Sequence, residues 1–356
     1  MLGSFEKVLL FFCLVGSMVW FSVVDDWYWV WLLFELNMFS FLPILSYGRW
    51  YRRSMSSMRY FLVQAWGSIM ILVGIILYSC SNFLHSCVDS SYGNGYGLFF
   101  FVSFMFWGVV LKLGLWPVHF WFMKVVDGVS YFSGFLVCTS QKVLPLMILV
   151  YLSFVYHLFF YLIFLGVGSG FVGSFGGLVQ TRVRRFLAYS SLGSIGWILI
   201  AISYSLNFGV LFFVSYIFSC FCVFMSSFYL NLSSFLGFYR LVGKSGFLGL
   251  SFLLGVFSLA GFPPLLGFFS KISVLILVGS YGSLFQVLVL SVLGVISMFF
   301  YVWFSYGCFM MVFPFSVSSS GGWFSYYKFG SLFLSLGVGA ICWGGLLFFP
   351  FLLYSF

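Results

Sequence analysis

Apolar runs separated by short polar breaks recur along the chain at about 6–23, 27–46, 59–81, 97–121, 130–151, 155–177, 187–204, 208–231, 247–276, 283–309 and 330–354. A helix crosses a bilayer in about 17 to 25 residues, and each run reaches that length. A lipid-spanning barrel would instead show alternating segments of about ten residues. The pattern therefore predicts an all-α integral membrane fold, a single polytopic domain over 1–356 with about eleven transmembrane helices. The fourth and ninth runs exceed the length of a simple crossing and contain helix breakers. The fourth has Gly114 and Pro117, and the ninth has Gly261-Phe262-Pro263-Pro264 followed by Gly267. Proline withholds a backbone donor and clashes with the preceding turn. Backbone freed in this way at membrane depth is tolerated only within protein or beside a wet cavity. Both runs, 97–121 and 247–276, are expected to be broken helices facing the bundle interior.

Composition strengthens this assignment. The 356 residues are 63% hydrophobic, 25% aromatic and only 6% charged, whereas a soluble domain carries about a quarter charged residues. The net charge of +9 does not point to nucleic acid, because the basic residues stand singly or in small groups between apolar runs. They set topology instead. Arg and Lys outside the spans are Lys7, Arg49, Arg52, Arg53, Arg59, Lys124, Arg182, Arg184, Arg185, Arg240, Lys244 and Lys328. With eleven crossings all of them fall on the N-terminal side of the membrane, and Asp25, Asp26 and Asp89 fall on the other. The positive-inside rule predicts this bias, with the N-terminus inside.

Two apparent motifs fail their context. The cysteines form no CxxC pair and mostly lie in apolar runs, so they read as small hydrophobes rather than metal or cluster ligands. GVGSGFVGSFGG (166–177) contains a literal GxGxxG, but no strand precedes it. Its small residues suit close helix packing in lipid better than dinucleotide binding. The N-terminus shows no cleavable signal pattern, and 82–96 and 310–329 are expected to be exposed connections.

Four ionisable residues lie well inside the runs: Glu35, Lys112, Lys142 and Lys271. A charge at the bilayer centre costs about 2.5 to 3.5 kcal/mol on insertion scales. Such residues pair as static glue or mark an ion pathway, and two of these lie beside helix breaks, which favours transport. Making or breaking a contact between Glu35 and a lysine changes that lysine's affinity for a proton, which is the switch a pump needs. His119, just past Pro117, is placed to relay protons near neutral pH or to stabilise the break. His85 and His157 carry no assigned role.

The strings FELNMFSFLPIL, RYFLVQAWGS, LKLGLWPVHFW, TSQKVLPL, GGLVQTRVRRFLAYSS and LAGFPPLLGFFSK occur in order between about Trp27 and Ile272. Together they resemble the mitochondrially encoded chain 2 family of NADH–ubiquinone oxidoreductase, antiporter-like membrane subunits of respiratory complex I, in the shortened animal form. The resemblance implies two inverted five-helix repeats, about 6–151 and 155–309, each with a broken helix in fourth place, and a C-terminal helix at about 330–354. It implies that Glu35 is the carboxylate of the first half-channel and that Lys112 and His119 serve the first broken helix. Lys142 would be the connecting lysine, and Lys271 the lysine of the second broken helix. It further implies a proton-translocating subunit of the mitochondrial inner membrane, with its basic loops on the matrix side. Its partners would be phospholipids and the other membrane subunits, with no direct NADH binding. The resemblance places NADH, FMN, iron–sulfur clusters and ubiquinone in other subunits, and none of these cofactors and no metal in this chain.

Three departures separate the chain from the family pattern. Ser194 stands where a histidine often follows AYSS, and Met123 and Lys124 replace a proline and an acid. Thr139-Ser140 replaces a Thr-Trp pair before Gln141 and Lys142. Two other readings fit the same buried charges: a cation/proton antiporter subunit of a separate assembly, and a non-conducting membrane scaffold.

Overall fold

The structure, a computed structural model, describes residues 4–47, 51–87, 93–230, 232, 246–310 and 337–338. The expected helix at 330–354 lies outside them apart from Gly337 and Val338, as does most of the expected connection at 310–329. Among the described residues every regular element is a helix. The chain divides into two compact units, Met1–Leu158 and Phe159–Phe356.

The first unit runs α1 (Ser4–Phe21), α2 (Trp27–Ser46), α3 (Tyr51–Cys87), α4 (Gly93–Leu113), α5 (Phe120–Gly128), α6 (Tyr131–Cys138) and α7 (Ser140–Tyr156). The second runs α8 (Phe159–Leu178), α9 (Val183–Tyr204), α10 (Leu206–Leu230), α11 (Gly246–Ala260), α12 (Leu266–Ser280) and α13 (Leu284–Met310). Among the described residues seven helices are long and apolar enough to cross a membrane, counting Tyr131–Tyr156 as one, and four shorter apolar helices accompany them. The elements follow the expected runs with shifted ends, α3 starting eight residues earlier than its run at Tyr51.

Both long runs break where glycine and proline predict. α4 ends with the Leu115 N–H bonding the Val110 carbonyl at 3.3 Å and the Gly114 N–H bonding Leu111 at 3.2 Å. α11 ends the same way, with Phe262 N–H on Phe257 O at 3.1 Å and Gly261 N–H on Ser258 O at 3.1 Å. This is the Schellman cap, whose C′ residue must turn left-handed. Gly114 has φ +65° and Gly261 φ +83°, values that glycine adopts without a Cβ penalty. A third break was not anticipated. The run at 130–151 is interrupted at Thr139, at φ −120° and ψ −74°. There the Thr139 hydroxyl donates to Phe135 O at 2.8 Å and the Ser140 hydroxyl to Leu136 O at 2.9 Å. Hydroxyls bonding back into a helix compete with its ladder, and Pro145 withholds a further donor six residues on.

Burial is inverted relative to a water-soluble protein. Phe160 and Phe285 are 83% and 78% exposed, whereas serines such as Ser153, Ser191 and Ser226 are wholly buried. Lipid solvates the outward rings, and the hydroxyls bond within their own helices. Small residues let the helices of each unit close on one another. A Cβ on Gly173 of α8 would fall on the Gly193 backbone of α9, and one on Gly196 would lie 2.6 Å from the Gly166 carbonyl. The glycine-rich 166–177 segment is thus a helix-packing face.

Candidate functional site

The breaks free carbonyls that a continuous helix would satisfy, and buried side chains gather around them. In the first unit Gln64 of α3 donates Nε2 to the Lys112 carbonyl at 3.1 Å. Lys112 itself is buried in the last turn of α4. Its ammonium stands 3.9 Å above the centroid of the Phe34 ring, and the charge of Glu35, the next residue on α2, acts on it. A cation over an aromatic face gains about 0.5 to 2 kcal/mol, more when desolvated.

His119, at the far side of the same break, is buried, and among the described residues its Nδ1 has no hydrogen-bond partner. Its ring lies against Phe120 at 4.2 Å between centroids. Lys142 is buried just after the Thr139 break, and its ammonium stands 4.8 Å from the Phe122 centroid. Its neighbour Gln141 pairs side chain to side chain with Asn37, each amide donating to the other's oxygen at 3.3 Å. Tyr60 donates to the same Gln141 oxygen at 2.8 Å. Asn37, Tyr60 and Gln141 are all buried, so this network fastens α2 and α3 to α7 beside Lys142.

The second unit holds its lysine differently. Lys271 of α12 reaches back to the end of α11 and donates to the Ala260 carbonyl at 2.9 Å, with Ser297 Oγ at 3.4 Å. A cation there also meets the negative end of the α11 dipole. The Trp197 ring centroid is 5.9 Å from its ammonium. Lys271 opens onto a cavity of about 40 Å³ lined by Trp197, Tyr189, Tyr216, Tyr301 and eight serines. About 10 to 15 Å³ admits one water by this measure, so the cavity accommodates roughly three. Its hydroxyls share one habit. Ser174, Ser190, Ser194, Ser215, Ser258 and Ser297 each donate to a carbonyl three or four residues back, at 2.7 to 3.0 Å. Their protons are committed, so toward the cavity they present acceptors. Ser194, where the family pattern has histidine, lies on this wall.

Glu35, Lys112, His119 and Lys142 thus belong to the first unit and Lys271 to the second. Asn37, Tyr60, Gln64 and Gln141 join these residues without standing out in the sequence. Each is a polar residue inside an apolar run within five residues of an ionisable one (Gln141 beside Lys142, Tyr60 beside Arg59, Asn37 two from Glu35, Gln64 five from Arg59), and that proximity was the available signal.

The family described as NADH:quinone oxidoreductase/Mrp antiporter, TM matches residues 24–297. The chain is 38% identical over 231 residues to the NADH-ubiquinone oxidoreductase chain 2 of Pisaster ochraceus, covering 64% of this chain and 61% of that one. The chain of that name from Anopheles gambiae is 35% identical over 197 residues, covering 55% of this chain and 54% of its own length. The match therefore spans less than two thirds of these relatives. The fold is similar to a chain of respiratory complex I from Thermus thermophilus with bound Aureothin, with TM-score 0.79 and 21% identity over 98% of this chain and 79% of that one. It is also similar to a chain of the membrane-bound sulfane sulfur reductase, an archaeal respiratory membrane complex, with TM-score 0.81 and 20% identity over 96% and 73%.

Proposed function

Since the chain belongs to the NADH:quinone oxidoreductase/Mrp antiporter membrane family, we propose that it is a proton-translocating subunit of respiratory complex I. It would work in the mitochondrial inner membrane with its basic loops toward the matrix. Its neighbours in this reading are other membrane subunits and phospholipids. NADH, FMN, iron–sulfur clusters and ubiquinone act in other subunits, and this chain supplies the membrane half of the coupling.

The observation that carries the reading is how the buried lysines are held. The Lys112 and Lys142 ammoniums rest on the rings of Phe34 and Phe122, and Lys271 rests on a helix-end carbonyl. Breaking a buried ion pair costs about 3 to 5 kcal/mol, whereas a ring face holds a cation by about 0.5 to 2 kcal/mol. A lysine held by a ring face is released from that contact at a smaller cost than one held in a buried ion pair. The charge of Glu35 acts on Lys112, and across the break His119 has an Nδ1 without a hydrogen-bond partner among the described residues. At Lys271, the serine-lined cavity beside the end of α11 gives water a place to carry the proton onward.

The test is proton uptake per NADH oxidised in vesicles reconstituted with complex carrying Lys112→Met or Lys271→Met. Both variants are expected to lower the ratio while leaving the complex assembled. Reduced assembly with a normal ratio in the surviving enzyme would instead identify a scaffold whose buried charges are structural.

A further inference from the structure

Helices α3 and α4 cross on bare backbone beside Lys112. A Cβ at Gly67 would lie 2.8 Å from Lys112 Cγ, 3.0 Å from the Gly108 carbonyl oxygen and 3.3 Å from Lys112 Cε. The lysine stem therefore lies on the α3 backbone, in space that only a glycine leaves open. Three residues earlier on α3, Gln64 holds the Lys112 carbonyl at 3.1 Å. One face of one helix thus grips Lys112 twice, at its backbone and along its stem. The ammonium at the end of that stem comes to rest 3.9 Å from the Phe34 centroid. A free lysine stem has four carbons of torsional freedom and would not settle on that ring unaided.

We propose that Gly67 is a positioning residue, whose missing side chain is the channel that aims the Lys112 ammonium at Phe34. The functional part of this inference rests on the proton-translocation reading above, and the geometric part does not. α3 also supplies a control. At Gly74, two turns on, a Cβ would meet the Phe101 carbonyl and Phe104 Cβ, both at 3.2 Å. The helix pair is the same and no lysine is involved, although the nearest approach is looser than the 2.8 Å at Gly67. Gly261 of the second unit lies 3.0 Å, by its absent Cβ, from Lys271 Cδ. Its φ of +83° would strain any substitution there regardless of the lysine, so the test belongs at Gly67.

The intact complex is prepared with Gly67→Ala, Gly74→Ala, Lys112→Met and the double change Gly67→Ala/Lys112→Met. Each is reconstituted, and proton uptake per NADH oxidised is followed across pH, with a structure determined for Gly67→Ala. The expected result is a Lys112 Nζ shifted off the Phe34 ring, a proton ratio reduced to that of Lys112→Met and an altered pH profile. Gly74→Ala should leave all three unchanged, and Gly67→Ala should remove nothing more from Lys112→Met. The proposal is overturned if Nζ stays over Phe34 in Gly67→Ala, if Gly74→Ala matches its effect, or if the two losses add in the double variant. Should Gly67→Ala fail to assemble, Lys112→Ala is added to remove the stem. Restored assembly then supports the channel, and continued failure assigns Gly67 to helix packing alone. If Lys112→Met has a normal proton ratio, the translocation reading fails at this lysine, and the position of Nζ still decides the inference.

Discussion

Gln141 serves two partners with one oxygen, accepting from Tyr60 and from Asn37 while its own amide donates to Asn37. Gln141→Leu would strand both a hydroxyl and an amide in the interior, at about 1 to 3 kcal/mol each. Tyr60→Phe removes one bond and leaves the amide pair intact, at about 0.5 to 1.5 kcal/mol. Thermal unfolding of the purified complex should accordingly place Gln141→Leu well below Tyr60→Phe, with the unmodified chain highest. This network was hidden in the sequence, whereas Lys112, Lys142 and Lys271 stood out. The reason is energetic. A cation in an apolar run is costly enough to demand an explanation, but a lone Asn, Gln or Tyr is cheap once bonded, and its partner lies as far as 104 residues away.

At the scale of the helix, glycine's two uses can be separated by substitution. Gly282 has φ +75° and nothing within 4 Å of where a Cβ would stand. Gly114 has φ +65°, and its Cβ would press on Phe122 Cβ at 2.9 Å. A left-handed non-glycine residue costs about 1 to 2 kcal/mol, so Gly282→Ala should show that cost alone. Gly114→Ala should be worse by the overpacking, about 1 to 3 kcal/mol further, read as a lower midpoint in detergent-solubilised unfolding. Along α8 the penalty is steric throughout. Gly173→Leu would drive a side chain into the α9 backbone, and the expected outcome is loss of assembled protein on native gels. The glycine–proline breaks were legible because those residues forbid a continuing helix. The Thr139 break was not, because threonine, serine and a proline six residues on permit either outcome. The hydroxyl bonds to Phe135 and Leu136 decide it only once the chain is folded.

For the molecule as a whole, the outward face is the informative one. Phe164 on α8 is 63% exposed. On a water-soluble protein, exchanging such a ring for lysine would aid solubility. Here Phe164→Lys puts a charge into hydrocarbon at about 2.5 to 3.5 kcal/mol, and the expected result is a smaller membrane-inserted fraction on alkaline extraction. That the chain lives in lipid could be read from its apolar runs, because each crossing is a local property of about twenty residues. The division at Leu158 and Phe159 rests on contacts between distant helices. The serine wall beside Lys271 has one further consequence. Because these serine protons are already given to helix carbonyls, a water bonded to the serines turns its hydrogens toward them. Its lone pair is left facing the lysine, so the cavity imposes a polarity on the first water that any proton leaving Lys271 would meet.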